Sequence, residues 1–245
     1  MIQNELSIII PSYQKKEWLQ KTVKILLEHF SEAEIIIIND GSQDKTKEIK
    51  DIFGNRIVYL ENEKNQGKGF SLRKGFKEAN GQYLIFTDND LPYGVESIKD
   101  ALRELKKGTE VVIGERHDFY NDKLFKFFLR PFLYVFLEIL FGLHYFDTQA
   151  GLKGFKREAA KTIFSLAFTN QFAIDVEILY LSQKLGYSIK PILIKQQNFS
   201  PSAFNLKEIM IMFFDLFKIR LHHYKNLPPF GRQNLFSRST QNEKK

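Results

Sequence analysis

The 245-residue chain has no cysteine, so disulfides and thiolate metal sites are excluded, as fits a reducing compartment. It also lacks a basic leader. The opening MIQNEL runs straight into a short apolar stretch closed by Pro11, which reads as a strand and not as a signal peptide. No window reaches the roughly 18–20 uninterrupted apolar residues that a membrane-spanning helix requires. The longest candidate, 125–146, is broken by Lys126, Arg130, Pro131 and Glu138, and is expected to lie on a bilayer rather than cross it. Neither an internal repeat nor a low-complexity linker is visible.

What is present is ordinary globular material. At 43% hydrophobic and 27% charged residues, the composition predicts one α/β domain with a sizeable core and room for a small appendage. The formal charge of +7 suits anionic lipid, phosphorylated substrates or nucleic acid, although solubility alone accounts for it equally well. The phenylalanines tilt this towards lipid, because they gather in the C-terminal half beside lysines and arginines.

Strand and helix signals alternate through the first half. Strands are predicted at 6–10, 34–38, 56–60, 83–87 and 110–114, and helices at 18–30, 46–53, 67–79 and 95–106. Such alternation implies a mostly parallel sheet covered on both faces, with ligands bound beyond the carboxyl ends of the strands. Pro11, Asp40 and Asp88 all fall there. The second half reads as a long apolar helix at 124–141, a polar loop entering a strand at 147–155, a helix at 172–185, and a last strand at 188–194. An amphipathic helix at 204–224 and a polar, basic tail follow.

Asp88-Asn89-Asp90 leaves the strand YLIFT. Alternate residues at a strand end can set two carboxylates around one hard cation, Mg2+ or Mn2+, whose remaining ligands are substrate phosphates. Asn39-Asp40-Gly41-Ser42 forms a tight strand exit. Asp40 there can accept the imide proton of a uracil or the N–H groups of a guanine, while Asp44 and Thr46 read as caps of the next helix. Asn65-Gln66-Gly67-Lys68-Gly69 opens a helix whose glycines and Lys68 are expected to face a diphosphate. It lacks Walker spacing, and no G-x-G-x-x-G follows the first strand, which argues against triphosphatase and dinucleotide readings. His117, His144, His222 and His223 lack ligand spacing and are assigned no metal.

Taken together, IIIPSY at 8–13, IIIINDGSQDKT at 35–46, NQGKG at 65–69 and FTDND at 86–90 resemble the inverting glycosyltransferases of family 2. GER at 114–116, DTQAGLKGF at 147–155 and the segment 175–194 are similar to its polyprenyl-phosphate sugar synthases, the dolichyl-phosphate mannose synthase and dolichyl-phosphate glucosyltransferase type. The resemblance covers about 5–200. It implies a single-domain, glycosyltransferase A-type, Rossmann-like fold, with a catalytic domain over 1–200 and an amphipathic helix with basic tail over 201–245. Within the catalytic domain, 1–115 would bind the nucleotide-sugar and 116–200 the acceptor.

By the same resemblance Pro11, Tyr13 and Asp40 hold the base, and Lys68 and Asn89 approach the nucleotide-sugar. Asp88 and Asp90 bind the metal and diphosphate, Arg116 and Arg130 meet the lipid phosphate, and Gln149 lies near the reacting sugar. Three departures stand out. Gln14-Lys15 replaces the family's Asn-Glu, Pro92 stands where a glutamine metal ligand is common, and 199–205 lacks the usual basic residue.

The implied reaction moves mannose or glucose from GDP-mannose or UDP-glucose to a dolichyl or undecaprenyl phosphate, with Asp90, Arg116, Arg130 and Gln149 at the reacting groups. A phosphate acceptor is already an anion, so no general base is expected. On residue chemistry alone, Arg116 can instead pair with Glu115 or Asp118, Arg130 can snorkel to headgroups, and Gln149 can brace its loop. The amphipathic helices predict peripheral, monotopic attachment at the cytoplasmic face of a membrane, with a membrane-protein partner such as a flippase as one reading. The alternatives are a saccharide or protein acceptor, served by Asp147 or Asp175 as base, and a non-catalytic nucleotide- or lipid-binding module. Nucleic acid is not an expected partner, because Asp-rich strand mouths repel a phosphate backbone.

Overall fold

The isoleucine runs of the first strands leave no polar face, and both faces of those strands are covered. A computed structural model describes residues 4–116, 124–197 and 206–226, the side chains of 124–132, 206–209 and 226 excepted. Seven strands form one sheet: β1 (Leu6–Ser12), β2 (Glu34–Asn39), β3 (Val58–Glu61), β4 (Tyr83–Thr87), β5 (Val111–Arg116), β6 (Leu152–Lys156) and β7 (Ile189–Ile194). Their order is β3-β2-β1-β4-β6-β5-β7. Ile8, Ile10, Ile35, Ile37 and Ile85 point to one side, beneath α1 (Lys16–His29), α2 (Glu48–Phe53) and α4 (Gly94–Lys106). Ile9, Ile36, Ile38, Leu84 and Phe86 point to the other. There α3 (Lys68–Glu78), α6 (Arg157–Leu166) and α7 (Ile174–Lys184) build the larger core. This is the period-two alternation of a sheet buried on both faces.

Most strand pairs are parallel, as expected. The exception is β6, which enters between β4 and β5 and runs antiparallel to both. Its reversed direction brings its first residue, Leu152, level with Thr87, the last residue of β4. The polar loop 147–151 that feeds β6 is thereby delivered to the carboxyl edge of the sheet, where the parallel strands also end.

Two helices differ from the sequence expectation. Over Arg157–Leu166 the chain forms α6, which the periodicity did not indicate; Ala159, Ala160, Ile163 and Phe164 are its buried stripe. The 46–53 segment splits into a 3-10 turn over Lys45–Lys47 and the shorter α2. The C-terminal helices α5 (Leu124–Phe141) and α8 (Leu206–Asn226) pack inward through Leu137, Phe141, Leu216 and Ile219, so core packing accounts for one side of each. The tail beyond Asn226 lies outside the described residues.

Candidate active site at the carboxyl edge of the sheet

The centre of the edge is an electrostatic chain. Lys68, the first residue of α3, sets its Nζ 3.3 Å from Asp88 Oδ1 and 3.0 Å from Asp175 Oδ2. On the far side of Asp175, Lys153 Nζ of β6 lies 2.6 Å from Oδ1 and also donates to the Ala150 carbonyl at 2.8 Å. Both ammoniums stand 5.4 Å from the centroid of the Phe86 ring, within cation–π range. Burial alone would lower Lys68, but Asp175 and Asp88 outweigh it and hold this ammonium above the ordinary lysine range. For Lys153 burial wins: it lies below that range, with Asp175 opposing the shift and the like charge of Lys68 adding to it. Of the four groups only Asp88 is substantially open, its side chain 37% exposed.

The turn after β4 is tight. Leu91 N donates to the Asp88 carbonyl at 3.1 Å, and Leu91 adopts φ 46°, unusual for a non-glycine residue. Asp90 is half-buried beside it. Asn89 donates its Nδ2 to Ser12 Oγ at 3.1 Å, lashing β4 to the end of β1. Gly151 presents bare backbone to Asp88; a Cβ there would fall 1.7 Å from Asp88 Oδ2. Two carboxylates at a strand end, both oxygen donors, fit Mg2+ or Mn2+, which take few protein ligands and complete their shell with phosphate and water. Among the described residues no group of three or more His, Cys, Asp or Glu is arranged to hold a metal ion.

At the end of β2, Asp40 is buried and its carboxylate already accepts from Asn62 Nδ2 at 2.8 Å, Gln66 N at 2.9 Å and Gly67 N at 2.8 Å. It braces the 62–67 segment and keeps little capacity for a further donor. Pro11 is half-buried, and Tyr13 is exposed at the mouth of β1. Asp44 caps the 3-10 turn by accepting from Thr46 N at 3.1 Å and Thr46 Oγ1 at 2.5 Å.

The glycine-rich turn differs from the expectation of a ligand-facing loop. Gly69 N and Phe70 N donate to the Asn170 carbonyl at 2.7 and 3.2 Å, while the amides of Gln66 and Gly67 go to Asp40. A Cβ at Gly67 would fall 2.4 Å from Asn170 O, and one at Gly69 2.3 Å from Thr169 O. These glycines admit a neighbouring stretch of backbone. The cation at this helix start is the Lys68 side chain.

Arg116, the last residue of β5, pairs with Asp147 rather than with Glu115. Its Nε lies 2.5 Å from Oδ2 and its Nη2 2.9 Å from Oδ1, a bidentate fork. Asp118 and His117 lie outside the described residues. So does the side chain of Arg130, whose backbone belongs to α5. Gln149 N donates to Asp147 Oδ1 at 3.2 Å, so the loop is braced through its backbone, while Gln149 Nε2 is enclosed without a hydrogen-bond partner among the described residues. Such an orphaned donor is uncommon in folded proteins. Tyr93 joins the two halves of the edge. Burial pushes its phenol up to about 12, the Arg116 charge opposes this, and Asp88 and Asp147 reinforce it.

Comparison with known proteins matches residues 7–164 to the family model described as glycosyl transferase family 2. The chain belongs to this family. It is 30% identical over 239 residues to dolichyl-phosphate beta-glucosyltransferase ALG5A of Trichomonas vaginalis, covering 89% of this chain and 73% of that one. It is 31% identical over 208 residues to the dolichyl-phosphate beta-glucosyltransferase of Dictyostelium discoideum, covering 75% and 64%. Its fold is that of glucosyl-3-phosphoglycerate synthase from Mycobacterium tuberculosis, solved with Mn2+, UDP and glucosyl-3-phosphoglycerate. The TM-score is 0.68 at 17% identity over 89% of this chain and 79% of that one. The A-type α/β fold and the glycosyltransferase class expected from sequence are thus established.

Three residues of this family 2 glycosyltransferase's edge are not singled out by the sequence: Tyr93, Gly151 and Lys153. Lys153 carries a signal nonetheless. It is an ionisable group inside the short run GLKGF, where burial demands a partner. Which partner it is only the fold can say.

Proposed function

We propose that this glycosyltransferase moves glucose from UDP-glucose to dolichyl phosphate at a membrane surface. One observation carries the reading most directly: the accessible carboxylate Asp88 stands beside Lys68 at the sheet edge, while Asp147 and Asp175 are each engaged by buried or half-buried cations. An acceptor hydroxyl would need a carboxylate free to take its proton, and the two candidates are occupied. A phosphate acceptor needs none.

In this reading a non-bridging oxygen of the lipid phosphate attacks C1 of the glucose. The bond from C1 to the diphosphate breaks, and UDP leaves with both bonding electrons, so no proton has to move. Attack from the face opposite the α-linked diphosphate gives a β-linked product, the configuration in the relatives' names. Lys68 meets the leaving diphosphate, and Arg116, oriented by Asp147, meets the incoming phosphate. Asp88 and Asp90 would hold Mg2+ or Mn2+, which when bound supplies positive charge at the departing diphosphate. Gln149, whose side-chain amide nitrogen has no hydrogen-bond partner among the described residues, would donate to the sugar. The relatives' names favour glucose over mannose.

Support for the membrane surface comes from α8. Met210, Phe214, Phe217, Leu221 and Tyr224 form an exposed apolar stripe at helical spacing, and Val135 and Ile139 of α5 are exposed as well. Among the described residues no helix is long and apolar enough to cross a membrane, so these helices would lie on it.

The test is a donor panel of labelled UDP-glucose and GDP-mannose against dolichyl phosphate, with and without a chelator, followed by organic extraction. Glucose in the organic phase, lost with chelator and reduced about a hundredfold by Asp88→Ala, is expected. Label that stays water-soluble, or chelator-insensitive transfer by Asp88→Ala, refutes the reading.

A further inference from the structure

Glu177 is fully buried on α7, two residues after Asp175, and it serves no group of the site described above. Its carboxylate accepts from Phe168 N at 3.1 Å, Thr169 N at 2.9 Å and Thr169 Oγ1 at 2.5 Å. Its Oε1 also lies 2.7 Å from Nε2 of His223, a buried residue of α8. The segment it grips is the one that holds the start of α3. The Asn170 carbonyl takes the amides of Gly69 and Phe70, and Arg73 of α3 binds the Thr169 carbonyl and, at 2.5 Å, Asn170 Oδ1. With Gly67 and Gly69 in backbone contact with this segment, α3 cannot shift independently of it.

A continuous set of hydrogen bonds therefore runs from α8 through Glu177 and residues 168–170 to the helix start that carries Lys68. A buried carboxylate with this many donors is a rigid joint, because any lost partner leaves a desolvated charge. We propose that Glu177 and His223 are positioning residues of the donor site, setting where Lys68 stands against Asp88. This rests on the reading that Lys68 meets the donor diphosphate. It also gives α8 a second role, since the helix with the exposed apolar stripe is wired to the nucleotide-sugar site on its inner side.

The experiment uses the full chain and measures UDP-glucose binding by direct titration, the KM for UDP-glucose and the melting temperature. The variants are His223→Ala, His223→Gln, Thr169→Val and Lys68→Ala. Removing an outer-shell partner is expected to weaken donor binding about tenfold in His223→Ala and Thr169→Val. His223→Gln, whose amide can still donate to Glu177, should recover most of it. Should His223→Ala fail to fold, Thr169→Val, which loses a single hydroxyl, carries the test. Wild-type donor affinity in both variants, with only the melting temperature lowered, overturns the proposal while Lys68→Ala still loses donor. Wild-type affinity in Lys68→Ala removes the underlying donor-site reading, and this proposal with it.

Discussion

Lys153 and Asp175 form an ion pair of 2.6 Å with side chains only 1% and 2% exposed, β6 supplying the cation and α7 the anion. Asp175 also holds Lys68, so one carboxylate balances two ammoniums, and Asp88 contributes the second negative charge. Asp175→Ala would leave two desolvated cations with Asp88 alone. A loss of about 3–5 kcal/mol in denaturant-measured stability is expected, because removing one partner of a buried pair strands the other. A loss under about 1 kcal/mol, the range of exposed pairs, would mean that the site is open to solvent.

Gly151 is where a methyl group should do the most harm for its size. Its Cβ would overlap Asp88 Oδ2, so in Gly151→Ala either the carboxylate swings away or β6 shifts. Misplacing a reacting group by about 1 Å can cost roughly a hundredfold in rate. Turnover should fall on that scale while circular dichroism stays native. Full activity in a folded Gly151→Ala protein would show that the observed Asp88 position is not needed.

Glu115 should govern part of the acid response. Burial raises its carboxyl above the ordinary 4.5, the negative charge of Asp147 adds to this, and a backbone hydrogen bond from Phe146 opposes it. Because the folded-state value is the higher one, this group's contribution to stability is complete below the unfolded value. It is lost as pH rises through the folded value. Glu115→Gln cannot ionise and escapes that loss. Its melting temperature relative to wild type should climb from acid towards neutral pH and then level off. A difference that does not change with pH would count against the shift.

The exposed stripe of α8 is testable by sedimentation with liposomes at low salt. Phe214 and Leu221 are 64% and 61% exposed and face away from the core. Burying such a side chain contributes about 1.5–3 kcal/mol, so replacing both by serine should lower the partition coefficient by roughly a hundredfold or more. The melting temperature should hold. If wild-type protein stays in the supernatant, α8 does not serve as a membrane anchor.

The local and periodic features were legible in the chain itself. Short runs of β-branched isoleucine bounded by turn residues read as strands buried on both faces, and the limits read for 83–87 and 124–141 are those of β4 and α5. The ordered motifs around Asp40, Lys68 and Asp88 were enough to reach the family. What the tertiary structure alone decided was pairing at long range. The antiparallel insertion of β6 brings Gly151 against Asp88 and Lys153 into the sheet, from more than sixty positions away along the chain. The same packing turns the glycines at the start of α3 towards residues 169–171, and gives Arg116 to Asp147. A residue's type announces that burial will require a partner. Its identity follows from strand order and direction, which depend on the whole chain's packing and leave no mark at any single position.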